Sequence, residues 1–465
     1  LSSANLKIPS ASALISRKFS LYYRIVFSET ERKWNNMNSK RIYLDGMDWA
    51  AYLLNWQSRL TPGQGNHFII VLETEQEFPA DVASALVQSK LEKLFPLLNG
   101  SVRRDLLLRP WWRPGSAHSV PVTAEQLLFT SDYSAALEHF CNTPLPPHCG
   151  LAVHVVRHKT GSALLFKFSH TLFDARGAEQ LLESFRPGGN ERLDLPPRTF
   201  QPRESLEERL SARLQINSRM KQLRKEGTSI GKNAGESAGI AHRLISLTEE
   251  ETDALRRRSD SEAGPFMIAP YLLTLSAAHY SNLFPQKAGD FIRVPMILDM
   301  RGEAGIPEEA VFFNQWSMIS ISLKRSVLAN TRETADLVRS QLFAGTGEKI
   351  TQAYRSASRL SRILPPSLLS KLSGTRVKES FVFTFLSAGT LSGEKFAGRR
   401  LTNLYHLPSV SPQTGFGVFF NMFNNHLNAV IAYRSGVFAE ADVERFAKDL
   451  EKDLHGSAAN KEVLK

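Results

Sequence analysis

The feature that most constrains the fold is an interruption. Between Arg186 and Ala241 the apolar runs stop, and the chain turns to proline, glycine and charge in RPGGNERLDLPPRTFQPRES and SRMKQLRKEGTSIGKNAGESAG. On either side, short runs rich in Val, Ile and Phe alternate with segments of helical period. A chain of 465 residues exceeds one ordinary core, so the interruption predicts an α/β protein of two similar lobes, each mixing strands with helices. The expected division is a loose tail over 1–36, a first lobe over 37–190, a linker or crossover over 191–243 and a second lobe over 244–465. The tail holds seven serines and no acid in its first 28 residues, and Met37 opens the sequence that looks folded, so 1–36 reads as upstream of the true start.

Before the interruption, HFIIVLETE (67–75) reads as a strand, and DVASALVQSKLEKLFPLLNG (81–100) as a helix with Asp81 as its N-cap. LAVHVVRH and SALLFKFSH form a hairpin turned at KTG, and AEQLLESF is helical. After it, Thr248 and Glu251 have the spacing of a capping box, ahead of the helical SLTEEETDALRRR. MIAPYLLTLSAAHYSNLF is an apolar helix that tolerates Pro270 in its first turn. Strands are expected at FIRVPMILDMR, SMISISL, SFVFTFLS, GFGVFFNMF and HLNAVIAY, and FAEADVERFAKDLEKDL closes the chain as an amphipathic helix.

Charge and composition narrow the partners. Of the net charge of +11, residues 1–36 supply +4 and residues 201–243 another +4, leaving +3 for everything else. Basic tails and linkers attract phosphates or acidic carrier proteins, but no nucleic-acid reader motif accompanies them, so nucleic acid is not an expected partner. No apolar run approaches the ~18 residues of a spanning helix, which limits membrane contact to the periphery. Cys141 and Cys149 are too few for a disulfide framework and favour the reducing cytoplasm. His139, Cys141, His148 and Cys149 crowd HFCNTPLPPHC at a spacing that fits no common zinc module, and no metal is expected. GTGEKIT lacks the full phosphate-loop pattern, and neither GxSxG nor GxGxxG occurs.

One stretch carries chemistry. In LLFKFSHTLFDARGAEQLLESF an apolar strand ends in His170, with Asp174 four residues on and Gly177 three further. A neutral imidazole with a pKa near ~6.5 can take a proton and return it at neutral pH. Asp174 either orients that ring or ion-pairs elsewhere and holds the loop; Gly177 permits close packing. A core-edge histidine with an aspartate capping the next helix satisfies the same spacing.

SHTLFDARG resembles the HxxxD signature of the coenzyme-A-dependent acyltransferase superfamily with the chloramphenicol-acetyltransferase-like fold, which includes BAHD acyltransferases, peptide-synthetase condensation domains and wax-ester-synthase or alcohol-acetyltransferase enzymes. LEKLFPLLNGSVRR, VPMILDMRGEAG with FFNQWS, and FVFTFLSAGTL with GFGVFFNMFNNHLNAVIAY resemble further segments of that superfamily, in the right order, over roughly residues 40–455. Three departures are visible: Ser169 stands where a second histidine is common, Ala175 where a glycine follows the aspartate, and the DFGWG element is absent.

The resemblance implies two lobes with an active-site tunnel between them. It makes His170 the general base, and Asp174 a structural anchor paired with Arg301 across the lobe junction and supported by Gly177. Thr384, Ser387 and Asn314 become candidates for the oxyanion or the tunnel wall, with Asn314 also open to a backbone-satisfying turn role. No cofactor is implied as permanently bound. An acyl-coenzyme A or acyl-carrier thioester is the implied donor, a small-molecule or lipid alcohol the acceptor, an acidic acyl carrier protein a further partner, and the protein a monomer. Amide-forming condensation on carrier-bound substrates and a non-catalytic scaffold are the alternatives.

Overall fold

A computed structural model describes residues 41–60, 65–116, 118–127, 133–158, 161–186, 204–225, 239–283, 290–303, 305–362, 364–373, 379–387, 391, 393, 395–412 and 414–456. The tail expected over 1–36 lies outside the described residues, as do 191–203 and 226–238 of the expected linker. The chain divides into two units, Leu1–Ile42 and Tyr43–Lys465, and all that follows concerns the second.

That unit begins with helix α1 (Gly46–Leu60), strand β1 (His67–Thr74), helix α2 (Ala80–Leu91), the hairpin β2 (Ser101–Arg104) and β3 (Pro110–Arg113), strand β4 (Val122–Gln126) and helix α3 (Tyr133–Asn142). Strands β5 (Leu151–His158) and β6 (Gly161–Ser169) form the expected hairpin, and α4 (Ala175–Glu183) follows. Past the interruption come α5 (Leu206–Lys225), β7 (Gly239–Ser246), α6 (Glu249–Glu262), α7 (Ile268–Leu283), β8 (Phe291–Asp299) and β9 (Trp316–Lys324). The chain continues through α8 (Thr331–Gly347), α9 (Ile350–Ser361), α10 (Pro366–Ser373), β10 (Val382–Leu386) and β11 (Lys395–Phe396). It ends with β12 (Arg399–Leu407), β13 (Phe416–Phe423), β14 (His426–Ser435) and α11 (Glu440–His455).

Two six-stranded mixed sheets result, ordered β11-β12-β1-β6-β5-β4 and β9-β8-β10-β13-β14-β7. In the first, only β4 and β5 run parallel; in the second, β10 runs parallel to both β8 and β13. Burial explains the sequence pattern of each strand. Central β6 is buried from Gly161 to Phe168 and so reads as a continuous apolar run. Edge strand β9 alternates instead: Ser317, Ile319, Ile321 and Leu323 are buried, while Trp316, Met318 and Ser320 on the other face are half-buried. Asn424 and Asn425, both at positive φ (45° and 65°), turn β13 into β14.

The first sheet borrows β12 from the far end of the chain: β12 pairs antiparallel with β1 from Leu401 to Leu407. No strand is expected there, because RRLTNLYHL is too polar to read as one. Asp81 also departs from expectation. Pro79 occupies the N-cap of α2 and no side chain caps it, so Asp81 lies in the first turn and meets the helix dipole only as a charge. The helix stops at Leu91, and a 3₁₀ turn (Glu92–Leu94) and one further turn (Phe95–Leu98) replace the rest, with Pro96 in that last turn. Thr248 and Glu251 do form a capping box.

Lys167 is the exception on β6. It is buried, its ammonium donates to the carbonyls of Phe140 and of Thr143 (2.7 Å), and it stands 4.1 Å from the Phe140 ring centroid. It thereby closes the C-terminal end of α3, where carbonyls lack helical partners. Burial lowers its pKa to about 8. Among the described residues, no helix is long and apolar enough to cross a membrane.

Candidate active site

His170 sits where β6 leaves its sheet. Its N–H donates to the Asn66 carbonyl (3.0 Å), and the N–H groups of Leu172 and Phe173 fold back on the Ser169 carbonyl (3.0 Å each). Phe313 N–H donates to the Leu172 carbonyl at 2.7 Å, which draws the segment before β9 against this turn. That places Asn314, fully buried, beside the imidazole: its Oδ1 lies 3.0 Å from His170 Nδ1 and accepts from Trp316 Nε1 at 2.9 Å.

The orientation of the Asn314 amide is set from the opposite side. The buried Asp48 carboxylate, in the first turn of α1, accepts from Asn314 N at 2.7 Å and from Nδ2 at 3.2 Å, and Nδ2 also donates to the His170 carbonyl at 3.0 Å. With Oδ1 facing the ring, the network makes His170 Nδ1 the donor, and Nε2 is left with a lone pair. The ring lies edge-on between Phe68 and Trp316, at centroid distances of 5.2 and 6.4 Å. Burial lowers the His170 pKa below the usual 6.5, against the opposing pull of nearby Asp174, and favours the neutral base.

The Asp174 carboxylate is engaged by groups other than that imidazole. Its Oδ1 caps α4 through Gly177 N–H (2.8 Å) and accepts from Arg301 Nη2 (2.7 Å), while Oδ2 accepts from Gln315 N–H (2.7 Å). Arg301 also donates to Asp299 Oδ1 (2.8 Å) and to the Ala310 carbonyl (2.9 Å). One carboxylate thus joins the end of the first sheet's β6 to the ends of β8 and β9 in the second. A side chain at Gly177 is excluded, since its Cβ would stand 2.1 Å from the Val311 carbonyl oxygen and 3.0 Å from Arg301 Nη2.

His170 opens on a cavity of about 880 Å³ lined from both sheets, with Phe68 from β1, Trp316 from β9, Thr384 from β10, and Ser387 just beyond it. Thr384 and Ser387 therefore share the cavity with the imidazole. For Asn314, a candidate for the oxyanion or for a turn role, both amide N–H groups end on protein acceptors, Asp48 Oδ1 and the His170 carbonyl. His406 on β12 also lines the cavity and contacts Glu179 Oε1 through Nε2 at 2.9 Å, with Arg176 on the other Glu179 oxygen at 2.8 Å. No cluster of three or more His, Cys, Asp or Glu side chains suited to a metal ion occurs among the described residues.

The arrangement of these two six-stranded mixed sheets matches solved structures. The chain has the two-lobed chloramphenicol-acetyltransferase-like fold. It is similar to trichothecene 15-O-acetyltransferase from Fusarium sporotrichioides, at TM-score 0.67 and 11% identity over 89% of this chain and 95% of that one. It is also similar to the first condensation domain of the calcium-dependent antibiotic synthetase, at TM-score 0.61 and 14% identity over 91% and 97%. A third similarity is to the epimerization domain from the third module of tyrocidine synthetase B, at TM-score 0.58 and 13% identity over 90% and 95%. At these identities the likeness establishes the fold. No protein-family model and no curated protein sequence matches the chain.

Asp48, Phe68, Trp316, Glu179 and His406 are given no site role by the sequence reading. An acid in a helix's first turn is commonplace, and nothing local to GMDWA marks a partner 266 residues away. The position of Asn314 two residues before Trp316 is the one signal present in the sequence, and only the fold supplies its meaning.

Proposed function

We propose that this chain is an acyltransferase that moves an acyl group from a coenzyme A or carrier-protein thioester to a hydroxyl-bearing acceptor, with His170 as general base. The observation that carries the reading is the contact of Asn314 Oδ1 with His170 Nδ1 at 3.0 Å: an acceptor there favours the proton on Nδ1 and leaves Nε2 as the base on the ring that lines the cavity. Nε2 takes the acceptor's O–H proton as the oxygen attacks the thioester carbonyl. The tetrahedral oxyanion is met by hydroxyl donors at Thr384 and Ser387. As the intermediate collapses, the C–S bond breaks and the imidazolium returns its proton to the leaving sulfur. Asp174, engaged with Arg301, Gly177 and Gln315, supports the loop and takes no proton.

Thiol release from a panel of acyl-coenzyme A donors, with simple alcohols as acceptors, tests this. His170→Ala is expected to lose about 10²–10⁴ in rate. Equal thiol release by both proteins overturns the assignment of the base. The match over 97% of a condensation domain favours one second reading, amide formation on carrier-bound substrates. Turnover only with carrier-loaded donors selects it, and silence with every donor leaves a non-catalytic binding role.

A further inference from the structure

The cavity at His170 continues along one strand. Trp316, Met318 and Ser320, on the same face of β9, all line it, and at ~3.3 Å per residue that row runs about 13 Å away from the imidazole. At its end, where α5 and the junction of α8 with α9 pass the edge of the second sheet, lies a further cavity of about 220 Å³. Ile216, Met220, Ser320 and Tyr354 line both spaces, so the two adjoin across these residues.

The far walls are Ile319, Ala344, Gly345 and Ile350. Gly345 lets α8 pack closely on Ile319 of β9 at this wall, because a Cβ there would come within 2.9 Å of Ile319 Cδ1. Gln341 at the rim is already engaged with both the N–H and the carbonyl of Ser322, at 2.9 Å each. Arg219 and Glu348 also border the opening. A volume of 220 Å³ is about seven water-sized groups, and walls this apolar offer water few of the partners that would hold it. Met220, with an unbranched and flexible side chain, stands in the shared wall.

We propose that this second cavity receives the far end of a hydrocarbon chain whose reacting end lies at His170, so that one substrate is a long-chain acyl thioester or a long-chain alcohol. The inference rests on the acyl-transfer reading and narrows it to a substrate class. A short acyl group or alcohol reaches neither Ser320 nor the space beyond. Each further methylene that enters an apolar space contributes about fourfold in affinity.

The test fills the cavity from its rim. Ala344 is exposed on α8, so Ala344→Trp occupies the space without entering the packed core, and Ser340→Trp on the same rim is expected to act alike. With butanoyl-, octanoyl- and dodecanoyl-coenzyme A, wild-type kcat/KM is expected to rise with length, and the dodecanoyl-to-butanoyl ratio to fall about tenfold or more in Ala344→Trp. Loss of the length preference with butanol, octanol and dodecanol instead assigns the chain to the acceptor. If neither series loses it, the proposal is overturned. Calorimetric titration of dodecanoyl-coenzyme A and of dodecan-1-ol into His170→Ala, with and without Ala344→Trp, separates binding from turnover. Weaker binding in the double variant, with no turnover of any donor by wild type, keeps the cavity assignment and overturns acyl transfer. Unchanged binding of both probes overturns the cavity assignment whatever the turnover.

Discussion

Asp48 sets the orientation of the Asn314 amide, and the amide sets which nitrogen of His170 keeps its proton. Asp48→Asn is close to isosteric, but it puts an amide where N–H groups already converge from Asn314 and Asp45. Losing one such hydrogen bond is expected to lower kcat on the order of tenfold with little change in KM, read from steady-state kinetics. The same residue predicts a pH effect. Burial first and the neighbouring Asp45 second push the Asp48 carboxyl up from 3.8 to about 6, against the N–H donors of Asn314. A folded value above the free one means the folded chain binds this proton more tightly. Its contribution to stability is complete below pH 3.8 and is lost as the pH rises through about 6. In urea unfolding, wild type should gain on Asp48→Asn by on the order of 2 kcal/mol between about pH 7.5 and about pH 4. A constant gap across that range would remove Asp48 as the titrating group. Asp174 belongs to a different class. Asp174→Asn leaves Arg301, 5% exposed, with Asp299 as its remaining counter-charge and should cost about 1–3 kcal/mol in urea unfolding. An unchanged midpoint would count against its role as an anchor.

Elements meet here through single side chains as much as through packed faces. Lys167 ties β6 to the end of α3, so Lys167→Met should loosen that helix end and cost about 1–3 kcal/mol, visible as faster amide exchange over Phe140–Thr143. Equal exchange in both proteins would show that the helix end needs no such closure. Strands buried on both faces were legible in the sequence because burial favours apolar residues at nearly every position, as in ALLF (Ala163–Phe166) on β6. Strand β12 was not legible: polar residues on it find partners distant in sequence, His406 in Glu179 and Asn403 in Asn428. The candidate site divides on the same line. His170, Asp174 and Gly177 share one turn and are recognisable together, and Arg301 followed from the family resemblance. Asp48, Asn314 and Trp316 act only once α1 and the start of β9 are brought to that turn, which no local spacing records.

At the scale of the molecule, the two lobes share a cavity, an ion pair and a strand. Strand β12 lies beside β1, yet it is followed at once by β13 in the centre of the other sheet. Neither lobe completes its sheet independently of the chain that builds the other, so urea unfolding should show one transition, with tryptophan fluorescence and far-ultraviolet dichroism coinciding. Two separated transitions would show that the lobes hold together only loosely. The borrowed strand also has a consequence during synthesis. Until Arg399 and the residues after it have been made, β1 has β6 on one side and lacks β12 on the other. Until then the first lobe carries an open, apolar backbone edge, the kind that recruits neighbouring chains. Stalled or truncated products ending before Arg399 should clump where the finished protein stays dispersed.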